Sequence, residues 1–303
     1  MYNGLINVYK EPGFTSFDAV AVLRGILKQK KIGHTGTLDP AAEGVLMVCL
    51  GNATKLCSLL EDKDKEYECV MRLGITTDTE DMTGQVLSEK NVENSEEEIR
   101  EAILSFVGKI KQVPPMYSAL KKDGKKLYEL ARKGIEVERE ARDIEIYDIN
   151  IREISLPRAV FTVKCSKGTY IRSLCRDIGE KLGCGGCMEH LKRNAVSFFD
   201  VSGALKLSEI EALSKEGKID DFIIRTEEVF KDLPSIKVEK ESARIINNGN
   251  PLLSSNIESI LPEEADKKNG LYRVYNTGGE FCAVYEYDSK KDYYKPYRMF
   301  FSE

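Results

Sequence analysis

Apolar and polar positions alternate along the chain with two periods, and the switches between them outline its elements. Residues 5–9, LINVY, are a short apolar run ended by Lys10, Pro12 and Gly13, which predicts a strand. From Ser16 to about Lys28 the period lengthens. Phe17, Val20, Leu23 and Leu27 recur at helical spacing, predicting a helix capped by Ser16 with these four on one face. Residues 45–50 are apolar without interruption between Gly44 and Gly51, as in a buried strand. Residues 53–60 read as helix, and 66–73 alternate as a strand carrying Tyr67.

Further along, 76–84 form an acidic, turn-rich loop. Ser95 with Glu98 makes a capping box for a helix ending before Gly108. Two prolines keep QVPPMYSALKKDG out of regular helix. A basic helix is expected over 125–133, stopped by Gly134, then strands over 144–151 and 159–165, a turn at Lys167 and Gly168, and a helix up to Gly183. Beyond about residue 230 the pattern turns strand-like. It predicts a short helix near Ala243, a turn over 247–251, and strands over 271–275 and 281–287 joined by the hairpin turn NTGGE. The expected organisation is a main domain over 1–230 and a small β-rich domain over 231–303.

Composition narrows the class. The 303 residues are 42% hydrophobic and 31% charged, as in soluble globular proteins. No apolar run reaches the roughly 18 residues of a membrane span, and the N-terminus lacks the basic-then-apolar layout of a signal peptide. The expectation is a cytoplasmic protein with no membrane association. Most of the eight cysteines lie in apolar runs, where a reduced thiol behaves as a small hydrophobe. Cys184 and Cys187 form C-G-G-C, but no second ligand pair accompanies them.

Charge is unevenly spread. The net is −5, yet residues 61–101 carry −9, 109–142 carry +5 and 164–193 carry +4. An acidic chain can therefore present a basic face to nucleic acid.

The stretch GHTGTLDPAAEGVL, residues 33–46, sets the ionisable pair His34 and Asp39 in a loop of chain breakers. A Ser-His-Asp triad is disfavoured, because only His34 and His190 exist and no G-x-S-x-G elbow occurs. Asp78, Glu80 and Asp81 cluster without the spacing of a calcium loop, so no metal is expected. Neither a Walker loop nor G-x-G-x-x-G is present to hold a nucleotide. What remains is an aspartate in a glycine-rich loop, aromatic residues on neighbouring strands, an arginine in Y-I-R, and basic segments. A carboxylate can be a nucleophile without a cofactor. A nearby arginine favours its ionised form. An aromatic ring can stack on a base taken out of a folded RNA.

GHTGTLDPAAEGVL closely resembles the catalytic motif of the TruB family of tRNA pseudouridine synthases. VYKEPGFTSFDAV, DKEYECVMRLGITTDTEDMTG, QVPPMYSALKKDGKKLYELARKG, and SKGTYIRSLCRDIGEKLG followed by HLKRNAVSFF resemble further blocks of that family, in order, over residues 5–200. The departures are local: Glu11 stands where a proline is usual, Glu43 replaces a small or polar residue, and Met47 replaces a frequent proline. None removes a reacting group.

The resemblance implies an α/β (α+β) pseudouridine synthase fold with a mixed, largely antiparallel central sheet and a PUA-like C-terminal domain that binds RNA. It implies conversion of the T-loop uridine, position fifty-five of tRNA, to pseudouridine, with no metal or organic cofactor. Asp39 matches the catalytic aspartate, Tyr67 the tyrosine that stacks on the target base, and Arg172 the arginine paired with the carboxylate. Tyr170 and Leu191 match pocket residues, and His34 a contact to the flipped nucleotide region. Lys121, Lys122, Lys125, Lys126 and Arg132 match segments near the RNA, and Lys10 either RNA contact or loop support. The implied partner is the tRNA T-arm stem-loop. A monomer with no obligate protein partner is expected. Two other readings are the related catalytic subunit of a guide-RNA particle and an RNA-folding factor.

Overall fold

The N-terminal apolar run forms β1 (Gly4–Lys10), and the run after Gly44 forms β2 (Glu43–Leu50). They pair antiparallel from Gly4↔Leu50 to Lys10↔Gly44. Both are buried almost throughout, as continuous apolar runs should be when both sheet faces are covered. Between them lie α1 (Ser16–Ile26) and the three-residue strand Ile32–His34, which pairs with the end of β2. The computed structural model describes residues 1–262 and 270–301.

Thr15, not Ser16, caps α1. Its hydroxyl accepts from the Asp18 amide at 3.0 Å, and the Asp18 carboxylate accepts from the Thr15 amide at 2.9 Å. This phase buries Ser16, Ala19, Val20 and Leu23. Phe17, expected on that face, is 63% exposed and lies under the Arg24 guanidinium.

The main sheet adds β3 (Lys65–Leu73), β4 (Gly108–Gln112), β5 (Arg142–Ser155), β6 (Arg158–Cys165), β7 (Gly186–Val196) and β8 (Leu205–Lys206). Their order is β8-β1-β2-β7-β3-β6-β5-β4, and two short strands off this path make ten. Only β1–β8 and β2–β7 pair in parallel, so the sheet is mixed and largely antiparallel. The β2–β7 seam has just two register pairs, Lys192↔Glu43 and Arg193↔Gly44. There Gly44 has φ +103, and a Cβ would strike the Arg193 carbonyl and come within 2.9 Å of its amide nitrogen. Glycine is what lets the two strands meet.

Helices α2 (Glu96–Leu104) and α3 (Ile171–Leu182) cover one face of this sheet, burying Ile99, Leu174 and Ile178 against Met71, Phe161 and Val163. Helix α4 (Leu207–Lys215) packs with α1 on another core cluster.

Two local expectations change. Residues 53–60 split into a 3-10 turn, Gly51–Leu56, and a short helix, Cys57–Glu61. The basic helix shrinks to Leu127–Ala131. Asp123 and Gly124 both take positive φ and close a tight hairpin between Lys121–Lys122 and Lys125–Lys126. The acidic, turn-rich loop forms as expected, and within it Glu80 and Asp81 are each only 8% exposed between strands Ile75–Thr77 and Val86–Glu89.

A second sheet follows, of β9 (Ser235–Val238), β10 (Ile257–Leu261), β11 (Leu271–Tyr275), β12 (Phe281–Asp288) and β13 (Tyr293–Met299), in the order β10-β9-β11-β12-β13. The helix near Ala243 forms as Ala243–Asn247, and NTGGE closes the β11–β12 hairpin. Val284 and Phe300 share a core with Leu5, Met47 and Phe230, which docks this sheet on the first. Residues 263–269 and 302–303 of the expected domain 231–303 lie outside the described residues. Among the described residues no helix is long and apolar enough to cross a membrane.

Candidate active site

The loop over 35–42 joins the strand Ile32–His34 to β2 and carries Asp39. Leu38 anchors it. Only 2% exposed, it packs in the core cluster that contains Tyr67 and Leu191, a burial that contributes about 1.5–3 kcal/mol. The buried Ser16 hydroxyl accepts from the Leu38 amide at 2.9 Å and donates to its carbonyl at 3.2 Å. Lys10 is 0% exposed. Its ammonium donates to the carbonyls of Ala42 at 2.6 Å, Glu11 at 3.1 Å and Pro40 at 3.3 Å. The Gly13 amide adds a bond to Pro40. On the other side, Arg193 donates from Nε to the Val45 carbonyl at 2.8 Å and from Nη2 to the Gly36 carbonyl at 3.1 Å. The first sequence block thus buckles the loop on one side, and β7 on the other.

Asp39 stands at mid-loop with 34% of its side chain open. Arg172, in the first turn of α3, meets it as a fork: Nε lies 3.0 Å from Oδ2, and Nη2 3.2 Å from Oδ1. Arg172 also donates to the carbonyls of Thr79 at 3.2 Å and Tyr117 at 2.9 Å, and Asp81 Oδ2 lies 3.9 Å from its Nε. Asp81 is held in turn by the Thr79 hydroxyl at 2.8 Å and the Thr83 amide at 2.9 Å. Beside it, Glu80 accepts from the Ser173 hydroxyl at 2.7 Å and pairs with Arg176, which pins the acidic hairpin to α3. Burial raises the Asp39 pKa above the ordinary carboxylate value. Arg172 pulls it back down and Asp81 pushes it up. The result is an aimed carboxylate more basic than a free one.

Tyr67 lies in β3, 7% exposed, between Arg193 of β7 and Val163 of β6 in register. Burial raises its phenol pKa, and the charge and hydrogen bond of Arg193 oppose the rise. Tyr170 precedes α3, and the buried Gln112 side chain clasps its backbone. Gln112 accepts from the Tyr170 amide at 2.8 Å and donates to its carbonyl at 3.0 Å. The Tyr170 phenol is raised chiefly by burial and feels both Arg172 and Asp39. Leu191 of β7 is 6% exposed. The structure therefore brings Asp39, Arg172, Tyr67, Tyr170 and Leu191 together.

His34 takes another place. Burial and Arg193 lower its pKa, its Nδ1 has no hydrogen-bond partner, and it is not among the groups that shift Asp39. The pairing suggested by the motif is not made. Of the two roles expected for Lys10, the structure favours loop support: its buried ammonium donates to loop carbonyls. Lys121 and Lys125 are exposed on the basic hairpin, and next to it Lys126 and Arg132 flank the Tyr128 ring.

Sequence reasoning did not single out Ser16 as a loop clasp, Arg193, or Asp81 as a neighbour of Arg172. Each lies within one of the family blocks, but spacing alone carried no sign of its partner. Among the described residues no cluster of His, Cys, Asp and Glu could hold a metal ion. Cys184 and Cys187 are buried with separate partners, the Gly185 carbonyl and the Met82 sulfur, and all eight cysteines are free.

The chain is similar to known proteins along nearly its whole length. The family model of the TruB family pseudouridylate synthase N-terminal domain matches residues 24–171, and that of the tRNA pseudouridylate synthase B C-terminal domain matches 172–231. The tRNA pseudouridine synthase B of Lachnoclostridium phytofermentans is 52% identical over 307 residues, covering 98% of this chain and 99% of its own. That of Alkaliphilus oremlandii is 44% identical over 301 residues, covering 99% of each. Among solved structures, an archaeal box H/ACA sRNP Nop10–Cbf5 complex matches with TM-score 0.70 and 26% identity over 99% of this chain and 86% of that one. A Cbf5–Nop10–Gar1 complex matches with TM-score 0.71 and 27% identity over 98% and 85%. With half its residues identical to a curated member along nearly the whole length, and with the Asp39 loop clasped by the other family blocks, the chain belongs to the TruB family of pseudouridylate synthases.

Proposed function

We propose that this pseudouridine synthase acts on tRNA, isomerising the T-loop uridine at position fifty-five without a metal or organic cofactor. One observation carries the reading: a partly open carboxylate, Asp39, forked by a buried arginine and close enough to Tyr67 to act on its phenol. The target uridine is flipped out of the T-loop, because its reacting atoms are out of reach inside the fold. The Tyr67 ring stacks on the base, and Tyr170 and Leu191 wall the pocket. The bond from uracil N1 to the sugar C1′ breaks and a bond from C5 to C1′ forms, while C5 loses a proton and N1 gains one, with Asp39 at the reacting atoms. Arg172 keeps the carboxylate ionised and aimed. His34 contacts the nucleotide region, and Lys121 and Lys125 face phosphates. Residues 1–230 form the catalytic domain and 231–303 a PUA-like RNA-binding domain. The enzyme works in the cytoplasm as a monomer with no obligate protein partner.

The matched solved structures are complexes with other proteins, which motivates the rival reading of a guide-dependent subunit. The test is to incubate the purified chain alone with an unmodified T-arm stem-loop and map the product. Pseudouridine at the single T-loop position supports the proposal. No product without added proteins or guide RNA contradicts it.

A further inference from the structure

Arg193 is 1% exposed. Among the described residues it has no carboxylate within ion-pairing distance, whereas Arg172 has Asp39 and Arg176 has Glu80. A buried charge without a counter-ion is costly, so its retention calls for a reason. Its backbone acceptors are the neutral carbonyls of Gly36 and Val45, which lie on either side of Asp39 in the chain. Its cross-strand neighbour is Tyr67. The positive charge of Arg193 pulls the Tyr67 phenol pKa down against the rise that burial causes. One rigid, planar group therefore ties residues on either side of Asp39 to the strand position paired with Tyr67.

We infer that Arg193 is a positioning residue for the isomerisation, which fixes the spacing between the Tyr67 ring and the Asp39 carboxylate. It touches no substrate atom and acts through Tyr67 and the loop. The inference rests on the proposed reading of Tyr67 as the ring that meets the flipped base. Lysine cannot replace it: an ammonium keeps the charge but is not a fork that reaches two carbonyls from two nitrogens.

The test is a double-mutant cycle of Arg193→Gln and Tyr67→Phe, read by single-turnover rate and by dissociation constant on the T-arm stem-loop. Arg193→Gln should cut the rate about tenfold or more while the dissociation constant stays within about threefold. The loss should be several-fold smaller in the Tyr67→Phe background. The Tyr67 phenol, followed by NMR of ring-labelled tyrosine and assigned by its absence in Tyr67→Phe, should titrate at higher pH in Arg193→Gln. Arg193→Lys should recover part of the rate only, and it takes over the cycle if the glutamine variant fails to fold. Equal losses in both backgrounds, together with an unmoved Tyr67 titration, would overturn the inference. An inactive wild type would instead contradict the proposed function, and the titration would still decide the role of Arg193.

Discussion

Arg172 and Asp39 are 133 positions apart in the chain, yet two nitrogens of the one meet both carboxylate oxygens of the other at 3.0 and 3.2 Å. Arg172 also donates to the backbone carbonyls of Thr79 and Tyr117, with Asp81 3.9 Å from its Nε. These come from two other segments, so the guanidinium is oriented before any substrate arrives. Preorganisation of this kind matters most where charge changes during reaction.

Arg172→Lys keeps the charge and loses the fork. The expected outcome is a fall in single-turnover rate of roughly 100-fold, with RNA affinity nearly unchanged. Rates and filter binding on the same stem-loop check it. A rate within about twofold of wild type would show that the fork is dispensable.

The pH dependence follows from the neighbours of Asp39. Its folded pKa is raised, so on acidification the carboxylate takes up its proton at a higher pH than a free aspartate does. The acid limb of kcat/KM therefore lies above the ordinary aspartate range. Asp81→Asn removes an upward push and should move the limb to lower pH. Arg172→Met removes a downward pull and should move it to higher pH. The same sign enters stability. This group's contribution is full below the unfolded pKa and is lost as pH rises through the folded one, because the folded state binds the proton more tightly. Shifts of both limbs in one direction would contradict the electrostatic account.

The lysines divide into two classes. The Lys10 pKa is pushed down to about 8 by burial, and its ammonium holds the loop carbonyls. Lys10→Met should lower kcat while binding of the stem-loop, and its salt dependence, stay as in wild type. Lys121→Ala with Lys125→Ala should weaken binding and flatten the dependence of log K on log salt, by up to about one unit for each phosphate no longer neutralised. Affinity measured across a salt series separates the two classes. A reduced salt slope in Lys10→Met would contradict the buried role.

Gly44→Ala tests the seam. A Cβ there meets the Arg193 backbone at a φ of +103, so strain and overlap combine. The expected loss is about 2–4 kcal/mol of unfolding free energy, measured by denaturant titration. A loss below about 0.5 kcal/mol would mean that β2 and β7 can part without cost.

How much of this was legible in the chain depended on the range of the interaction. Residues 45–50 announced a buried strand because an unbroken apolar run has few other uses, and the Ser95–Glu98 capping box was local and correct. TSFD offers two hydroxyls in a row, so the sequence alone does not separate Thr15 from Ser16 as the cap; the tertiary bond of Ser16 to Leu38 does. Strand β7 escaped notice because Arg193, a charge, sits fully buried in it, and burial of a charge leaves no mark on apolar periodicity. The Asp123-Gly124 turn was readable in principle, but the lysines around it suggested a helix surface. At the site, Asp39 and Arg172 were named from family resemblance. Nothing in local spacing could pair residues that the sheet topology brings together.

The most direct measurement is pseudouridine formation on an unmodified T-arm stem-loop by wild type and by Asp39→Asn. Asparagine keeps the side chain's shape and removes its charge and basicity. The account predicts product at the T-loop uridine with wild type and none above background with Asp39→Asn, although the variant still binds the RNA. Full activity in Asp39→Asn would contradict it.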